Sequence, residues 1–361
     1  MQNLLNDILS SNKKIAIAIT GGGTEIIGEL LRHGGASNTI VEAVVPYAQS
    51  SFDNYTKGKP DKYCSLDAAR DLAMAAFNRL VKFNVGNQSQ LIGLGATSSL
   101  AKNNERAGRE HHAFVAVQTE EFTRVYDIDL SISRTREEEE SYVAYQILTI
   151  LATACESAEK YNGKYEETIG DKNFLEIVTG KSKAISLLKK NENLENRIIF
   201  SGSFNPMHEQ HINIAKFVSD LKNQKIDLEI CVHNVDKPSL NYHSFNERKK
   251  SILQNCDEWT GDIFFTALPT FLEKSCYFKN ATFIVGWDTF IRILDPKYAD
   301  LNKVYEAFKE NNSRFLVFHR ITDGINSNSL TCNFPKEIME RTEIIDSLPA
   351  SDLSSRFLRN K

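Results

Sequence analysis

The sequence gives its cysteines no partners at short range. There are six, Cys64, Cys155, Cys231, Cys256, Cys276 and Cys332. None falls in a CxxC, and no His/Cys cluster has zinc spacing, so they read as reduced, partly buried thiols and not as a metal site. No apolar run approaches the ~20 residues that span a bilayer. The opening MQNLLNDILSSNKK lacks a basic segment followed by a long apolar stretch, so neither a membrane span nor a secretory leader is expected. There is no positive excess either: 43 Lys and Arg stand against 47 Asp and Glu, a net charge of −4. Nucleic acid and anionic membranes are therefore not expected partners, and a small anion would need a local positive site. Repeats and low-complexity tracts are absent. The expected location is the cytoplasm, with the nucleus as the alternative.

What remains is a globular composition, 41% hydrophobic and 25% charged, over 361 residues. That length predicts two domains, each able to bury its own core. In the first half, KKIAIAIT reads as a strand that breaks at GGGT (Gly21 to Thr24) and continues into a helix. Further strands are expected at Thr39 to Tyr47, Gln90 to Gly95 and His112 to Thr119. Ser65 is placed to cap a helix running to Phe83. Arg136 to Lys160 reads as one long helix whose acidic first turn suits the positive end of its dipole. This alternation predicts an α/β layer fold.

Residues 161–195 are charged and weakly periodic, and read as a partly helical linker between a domain at 1–160 and one at 196–361. TGKS (Thr179 to Ser182) within it is no P-loop, because the first glycine of that motif would stand at Leu175. From Arg197 the pattern is strand, turn, helix, strand, a βαβ unit with a parallel sheet. Further strands follow at Thr282 and at Arg314 to Arg320.

The turn GSFNPMHEQH (Gly202 to His211) is the most informative stretch. It leaves a strand at the carboxyl edge of a sheet, where open α/β folds bind ligands, and leads into a helix N-terminus, which favours anions. His208 and His211 lie three apart, so both imidazoles face one side. There they can donate to phosphate oxygens and stabilise charge that builds during group transfer. A chance surface pair, or half of a metal site without a third ligand, are the other readings of two such histidines.

The surrounding residues carry a resemblance. GSFNPMHEQH resembles the GSFxPxHxGH signature of nucleotidylyltransferases related to nicotinamide mononucleotide adenylyltransferase. FIVGWDTFIRILDPKY (Phe283 to Tyr298) is similar to that family's strand-GxDT segment, and LSSRFLR (Leu353 to Arg359) to its C-terminal ISSTxxR. The resemblance implies a Rossmann-like domain with a parallel sheet, in which His208 and His211 hold the triphosphate and stabilise the transition state. It implies that Gly202, Ser203 and Phe204 form the nucleotide turn and that Gly286 and Asp288 line the ribose. Ser354, Ser355 and Arg359 would meet the β- and γ-phosphates. Lys237, in the loop after the second strand, is a candidate for the acceptor's phosphate, and Trp287 for stacking on a base. Arg248 reads as a helix-face charge.

The implied reaction transfers AMP from ATP to nicotinamide mononucleotide or its deamidated form, with pyrophosphate released, as in NAD biosynthesis. Mg²⁺ would arrive on the triphosphate, with no tightly bound cofactor. Transfer of CMP from CTP and an inactive nucleotide sensor are the alternatives. Three departures stand out: Gln210 replaces the glycine between the histidines, Arg356 a small hydroxyl residue, and Trp287 a small residue. A homo-oligomer is compatible with the pattern.

The first half resembles, more faintly, the CinA C-terminal domain, the nicotinamide-nucleotide amidase family. IAIAITGGGTEIIGELL is similar to that family's AESCTGGLLA start, and QLIGLGATSSLA to its AITGIAGPGGG segment. Thr20, Gly21, Gly22 and Tyr47 match. The family's serine falls on Ala18 and its threonine on Leu94, neither of which can attack an amide or stabilise an oxyanion. The expectation is a domain that binds a nucleotide without deamidating it, with Thr24, Ser98 or Ser99 as replacement nucleophiles to be weighed. Arg134 and Arg136 begin an exposed helix or contact a phosphate.

Overall fold

The computed structural model describes residues 1–101, 111–130, 134–189, 193–295, 300–318 and 334–345. The chain divides into two compact units, one of residues 1–179 with 236–244, the other of residues 180–235 with 245–361. No helix among the described residues is long and apolar enough to cross a membrane.

The first unit contains, in order, α1 (Gln2–Ser10), β1 (Lys14–Thr20), α2 (Glu25–Leu31), β2 (Ile40–Val44), α3 (Gln49–Thr56), α4 (Leu66–Phe83), β3 (Leu91–Ser99), β4 (His112–Gln118), β5 (Phe122–Asp129), α5 (Arg136–Ala154), β6 (Tyr165–Ile169) and α6 (Lys172–Val178). Its sheet runs β2-β1-β3-β4-β5-β6. The pairs β1/β2 and β1/β3 are parallel, and β3 through β6 pair antiparallel. Alternation along β1 sends Ile15, Ile17 and Ile19 to a core shared with α1, α2 and α5, and Ala18 to a core under α3 and α4. The result is a three-layer α/β/α unit.

Close approach explains the small residues of β3 and α4. A Cβ on Gly93 would lie 2.3 Å from the carbonyl oxygen of Ala73, and one on Gly95 2.3 Å from the Ala73 nitrogen. Glycine on the strand and Ala69, Ala73 and Ala76 on the helix let the two backbones touch. Ser65 caps α4 as expected, its Oγ accepting from the Ala68 N–H at 3.1 Å. Thr135 and Glu138 form a capping box at the start of α5, which ends at Ala154, short of the expected Lys160.

The second unit contains β7 (Ala184–Ser186), β8 (Ile198–Ser201), α7 (Glu209–Lys222), β9 (Ile226–Cys231), most of α8 (Tyr242–Leu253), β10 (Thr260–Thr266), α9 (Phe271–Tyr277), β11 (Thr282–Gly286), α10 (Trp287–Ile293), α11 (Leu301–Glu310), β12 (Arg314–Phe318) and β13 (Thr342–Ile345). Strand order is β13-β12-β11-β8-β9-β10-β7, parallel throughout except for β7 against β10. After β8 the chain builds outward through β9 and β10. It then returns to lay β11, β12 and β13 on the other side. The crevice between β8 and β11 is the topological switch point, the position where doubly wound sheets take ligands.

Two expectations about organisation are corrected. Residues 161–195 are not a linker: they supply β6 and α6 to the first unit and β7 to the second. The 236–244 segment, expected within the second domain, packs as part of the first unit. Tyr242 there is 1% exposed, its hydroxyl donating to the Glu120 carbonyl at 2.7 Å and its ring meeting Phe174 at 5.4 Å.

Candidate functional site

The GSFNP turn leaves the carboxyl end of β8, and Gly286 ends the neighbouring strand β11, where Phe200 pairs with Ile284. The two segments singled out from the sequence thus open onto the same end of the switch-point crevice. The Asn205–Pro206 peptide bond is cis. Phe204 has φ +40° and is fully buried, edge-on to Phe200 at 5.4 Å and to His211 at 5.1 Å. Its side chain supports the turn from beneath. A Cβ on Gly202 would meet the Phe204 ring at 2.8 Å, which accounts for that glycine.

His208 is the N-cap of α7 and His211 is the third helical residue. The two rings stack with centroids 3.8 Å apart and planes 30° from parallel. The His208 backbone N–H donates to Nδ1 of His211 at 3.3 Å. A neutral His211 that accepts on Nδ1 carries its proton on Nε2, which is then a donor. His208 is 8% exposed. The turn is pinned from α8, where Ser251 Oγ accepts the Met207 N–H at 3.0 Å.

Arg248 lies three residues before Ser251 and so shares its face of α8. It is 9% exposed, not the solvated helix-face charge expected. A guanidinium taken out of water needs anionic or polar company. Ser201, which ends β8, has a buried Oγ with no hydrogen-bond partner among the described residues. Sequence reasoning passed over Ser201 and took Arg248 for a helix-face charge. Arg248 sits in a charged stretch, NERKK, and the only signal was its spacing from Ser251.

Trp287 packs against Phe290 at 6.1 Å and Phe334 at 5.9 Å, at the edge of the core formed by β11, β12 and α11. Asp288 is exposed in the first turn of α10, and a Cβ at Gly286 would meet nothing within 4 Å. Lys237 belongs to the 236–244 segment of the first unit, where Gly58 approaches its Cα and Pro238. Ser354, Ser355 and Arg359 lie outside the described residues. Among the described residues no group of three His, Cys, Asp or Glu could hold a metal ion.

In the first unit, Ala18 and Leu94 are both fully buried in the paired strands β1 and β3. The glycine-rich turn lies at the carboxyl ends of these strands. Gly21 has φ +90°, and a Cβ there would fall 2.0 Å from the Ser98 carbonyl oxygen, so only glycine fits. The turn's donors are taken by Glu140 of α5: its carboxylate accepts from Gly23 N at 2.8 Å, Thr24 N at 2.6 Å and Thr24 Oγ1 at 2.9 Å. Next to it Glu139, fully buried, accepts from Ala101 N at 2.5 Å and meets His111 Nδ1 at 2.8 Å. Ser98 Oγ is buried without a partner among the described residues, and Tyr47 is 66% exposed. Arg136 donates to the Ala101 carbonyl at 3.1 Å, and Arg134 lies over the Tyr142 ring at 4.1 Å.

Comparison with known proteins matches residues 199–359 to the family described as Cytidylyltransferase-like. A Schizosaccharomyces pombe protein named "Putative nicotinamide mononucleotide adenylyltransferase" is 27% identical over 198 residues, 48% of this chain and 77% of that protein. Among solved structures, a competence or damage-inducible protein from Enterobacter asburiae aligns at 11% identity and a TM-score of 0.35, covering 42% of this chain and 94% of that one. The competence/damage inducible protein CihA from Agrobacterium tumefaciens aligns at 14% identity and a TM-score of 0.32, covering 43% of this chain and 88% of that one. The second half of the chain, with its stacked histidines at the switch point, is thus similar to the Cytidylyltransferase-like family over residues 199–359.

Proposed function

We propose that the second unit transfers AMP from ATP to nicotinamide mononucleotide or its deamidated form. The observation that carries this reading is the stacked His208–His211 pair at the N-terminus of α7, beside the carboxyl end of β11. A phosphate oxygen of the acceptor attacks the α-phosphorus of ATP. The bond from that phosphorus to the bridging oxygen of the β-phosphate breaks, and pyrophosphate leaves. The reaction needs no nucleophilic side chain, only positioning and charge stabilisation. In this reading the Nε2–H of His211 and the N-terminal end of α7 meet the charge that builds on the phosphates. Arg248 adds a buried positive charge on the helix that pins the turn. Ser354, Ser355 and Arg359 are assigned to the β- and γ-phosphates by their resemblance to the family motif. Mg²⁺ belongs to this scheme as the counter-ion of the triphosphate.

The family's description favours a second reading, transfer of CMP from CTP to another phosphate acceptor. Pyrophosphate release from the whole chain separates the two. ATP and CTP are supplied separately with Mg²⁺, each with nicotinamide mononucleotide, its deamidated form or no acceptor. Dinucleotide formed with ATP and lost in His211→Ala supports the proposal. Turnover with CTP alone replaces it with the second reading. Nucleotide binding without turnover for any pair leaves a sensor and rejects both.

A further inference from the structure

A lysine occupies a core position of the second unit. Phe271 and Lys274 of α9, and Phe278 just past its end, follow at helical spacing, and both phenylalanines pack into the core beside β11 and β12. Lys274 is 6% exposed, its Nζ 4.8 Å over the Phe271 ring. It donates to Oε2 of Glu229 on β9 at 2.6 Å. Glu229 is fully buried, and its Oε1 accepts from Thr266 Oγ1 at 2.5 Å. A buried ion pair adds little to stability over apolar side chains of the same volume, so a pair in this layer asks for another reason.

Its place supplies one. Glu229 pairs with Ser201, the last residue of β8, and its carbonyl accepts the Gly202 N–H at 3.0 Å. Neighbouring strands lie about 4.8 Å apart, so the carboxylate stands within about 10 Å of the turn that leads to the stacked histidines. A bare carboxylate there would repel a triphosphate, and buried charges are poorly screened. Asp227, Glu229 and Cys231 alternate onto one face of β9. Asp227 is bonded to Arg197 at 2.7 Å, and burial pushes the Cys231 thiol up to about 11, so neither offsets Glu229. Among the described residues the cation paired with Glu229 is Lys274.

We propose that Lys274 is a positioning residue for the nucleotide: by neutralising Glu229 it keeps the carboxyl edge of the sheet, under the GSFNP turn, free of negative charge, so that a triphosphate can settle there. Lys274 acts through Glu229 and touches no ligand itself. It rests on the transferase reading for the place of the triphosphate, and its own content is the sign of the charge beneath that place.

The test compares Lys274→Met, Glu229→Gln and the double variant in the whole chain. Each is titrated calorimetrically with ATP and with CTP in the presence of Mg²⁺, and pyrophosphate release and melting temperature are read on the same samples. Lys274→Met should bind nucleotide at least about tenfold more weakly, the scale of one charge at about 10 Å in such surroundings. Glu229→Gln should bind no more weakly than wild type, and the double variant should return to within about threefold of it. The gap between Lys274→Met and wild type should narrow from about pH 8 to about pH 6, as the unpaired carboxylate, its pKa raised by burial, takes up a proton. A pair that served packing alone would lose affinity when broken from either side. Weaker binding by Glu229→Gln therefore overturns the proposal, even where Lys274→Met fails to accumulate. So does unchanged affinity in Lys274→Met, or a double variant as weak as that single one. Binding without turnover in wild type removes the transferase reading and leaves the role of Lys274 to be read from affinity; binding of neither nucleotide overturns both.

Discussion

His211 accepts the backbone N–H of His208 on Nδ1 while its ring stacks on that of His208 at 3.8 Å. One imidazole is thus fixed in tautomer and orientation by the backbone of the other. His211→Ala should remove both the donor and the contact that holds His208 in place. Pyrophosphate release should fall about 10²–10³-fold, the usual cost of deleting one such donor. His211→Asn retains an amide donor and should recover part of the rate. Equal activity in wild type and alanine variant would remove the pair from the mechanism.

Arg248 should matter as a planar fork and not only as a charge. Arg248→Lys keeps the charge but loses the bidentate geometry. We expect kcat/KM for pyrophosphate release to drop at least about tenfold in Arg248→Lys, which is more than 1.4 kcal/mol of transition-state stabilisation. Melting temperature measured on the same sample separates this from misfolding.

Glu140 closes the glycine-rich turn, and removing it leaves part-buried donors unpaired. Glu140→Ala should destabilise the first unit by about 1–3 kcal/mol, seen as an earlier unfolding transition in the whole chain. Glu140→Gln keeps one acceptor oxygen and should lie between. Pyrophosphate release at low temperature should be unchanged in both.

Burial pushes the thiols of Cys155 and Cys231 up to about 11, so both stay protonated at neutral pH. Cys276 is exposed. Iodoacetamide at neutral pH should label Cys276 and spare Cys155 and Cys231 in the native protein. Mass spectrometry of the digested adduct reads the order directly, and labelling of all three at equal rates would contradict the burial.

Gly95→Val places a branched side chain against the backbone of α4. A clash with Ala73 and Ala69 has no flexible partner to relieve it, and a loss of about 3 kcal/mol or more is expected. Thermal denaturation, or failure to accumulate soluble protein, measures it.

The parts of the fold that were legible are those with strong local patterning. The strand at Lys14–Thr20, the Ser65 cap and the turn-to-helix after β8 each carry their signal within a few residues. β6 was not legible, because an edge strand with mostly exposed residues has no apolar alternation to read. β7, three residues long, is too short for any period. The role of Glu140 was hidden for another reason: its partners are 116 and 117 residues away in the chain. Arg248 was misread because neighbouring charges mask burial, which is set by packing and not by composition.

The chain leaves the second unit after Val235, contributes residues 236–244 to the first, and returns within α8. The two halves therefore cannot be traded as cassettes. A gene fragment ending at Thr179 encodes a first unit missing one of its own pieces, including the Tyr242 hydroxyl that donates to Glu120. A fragment beginning at Gly180 carries that piece with nothing to receive it. A break between the halves thus costs the first unit part of its own packing, wherever in 180–235 it falls.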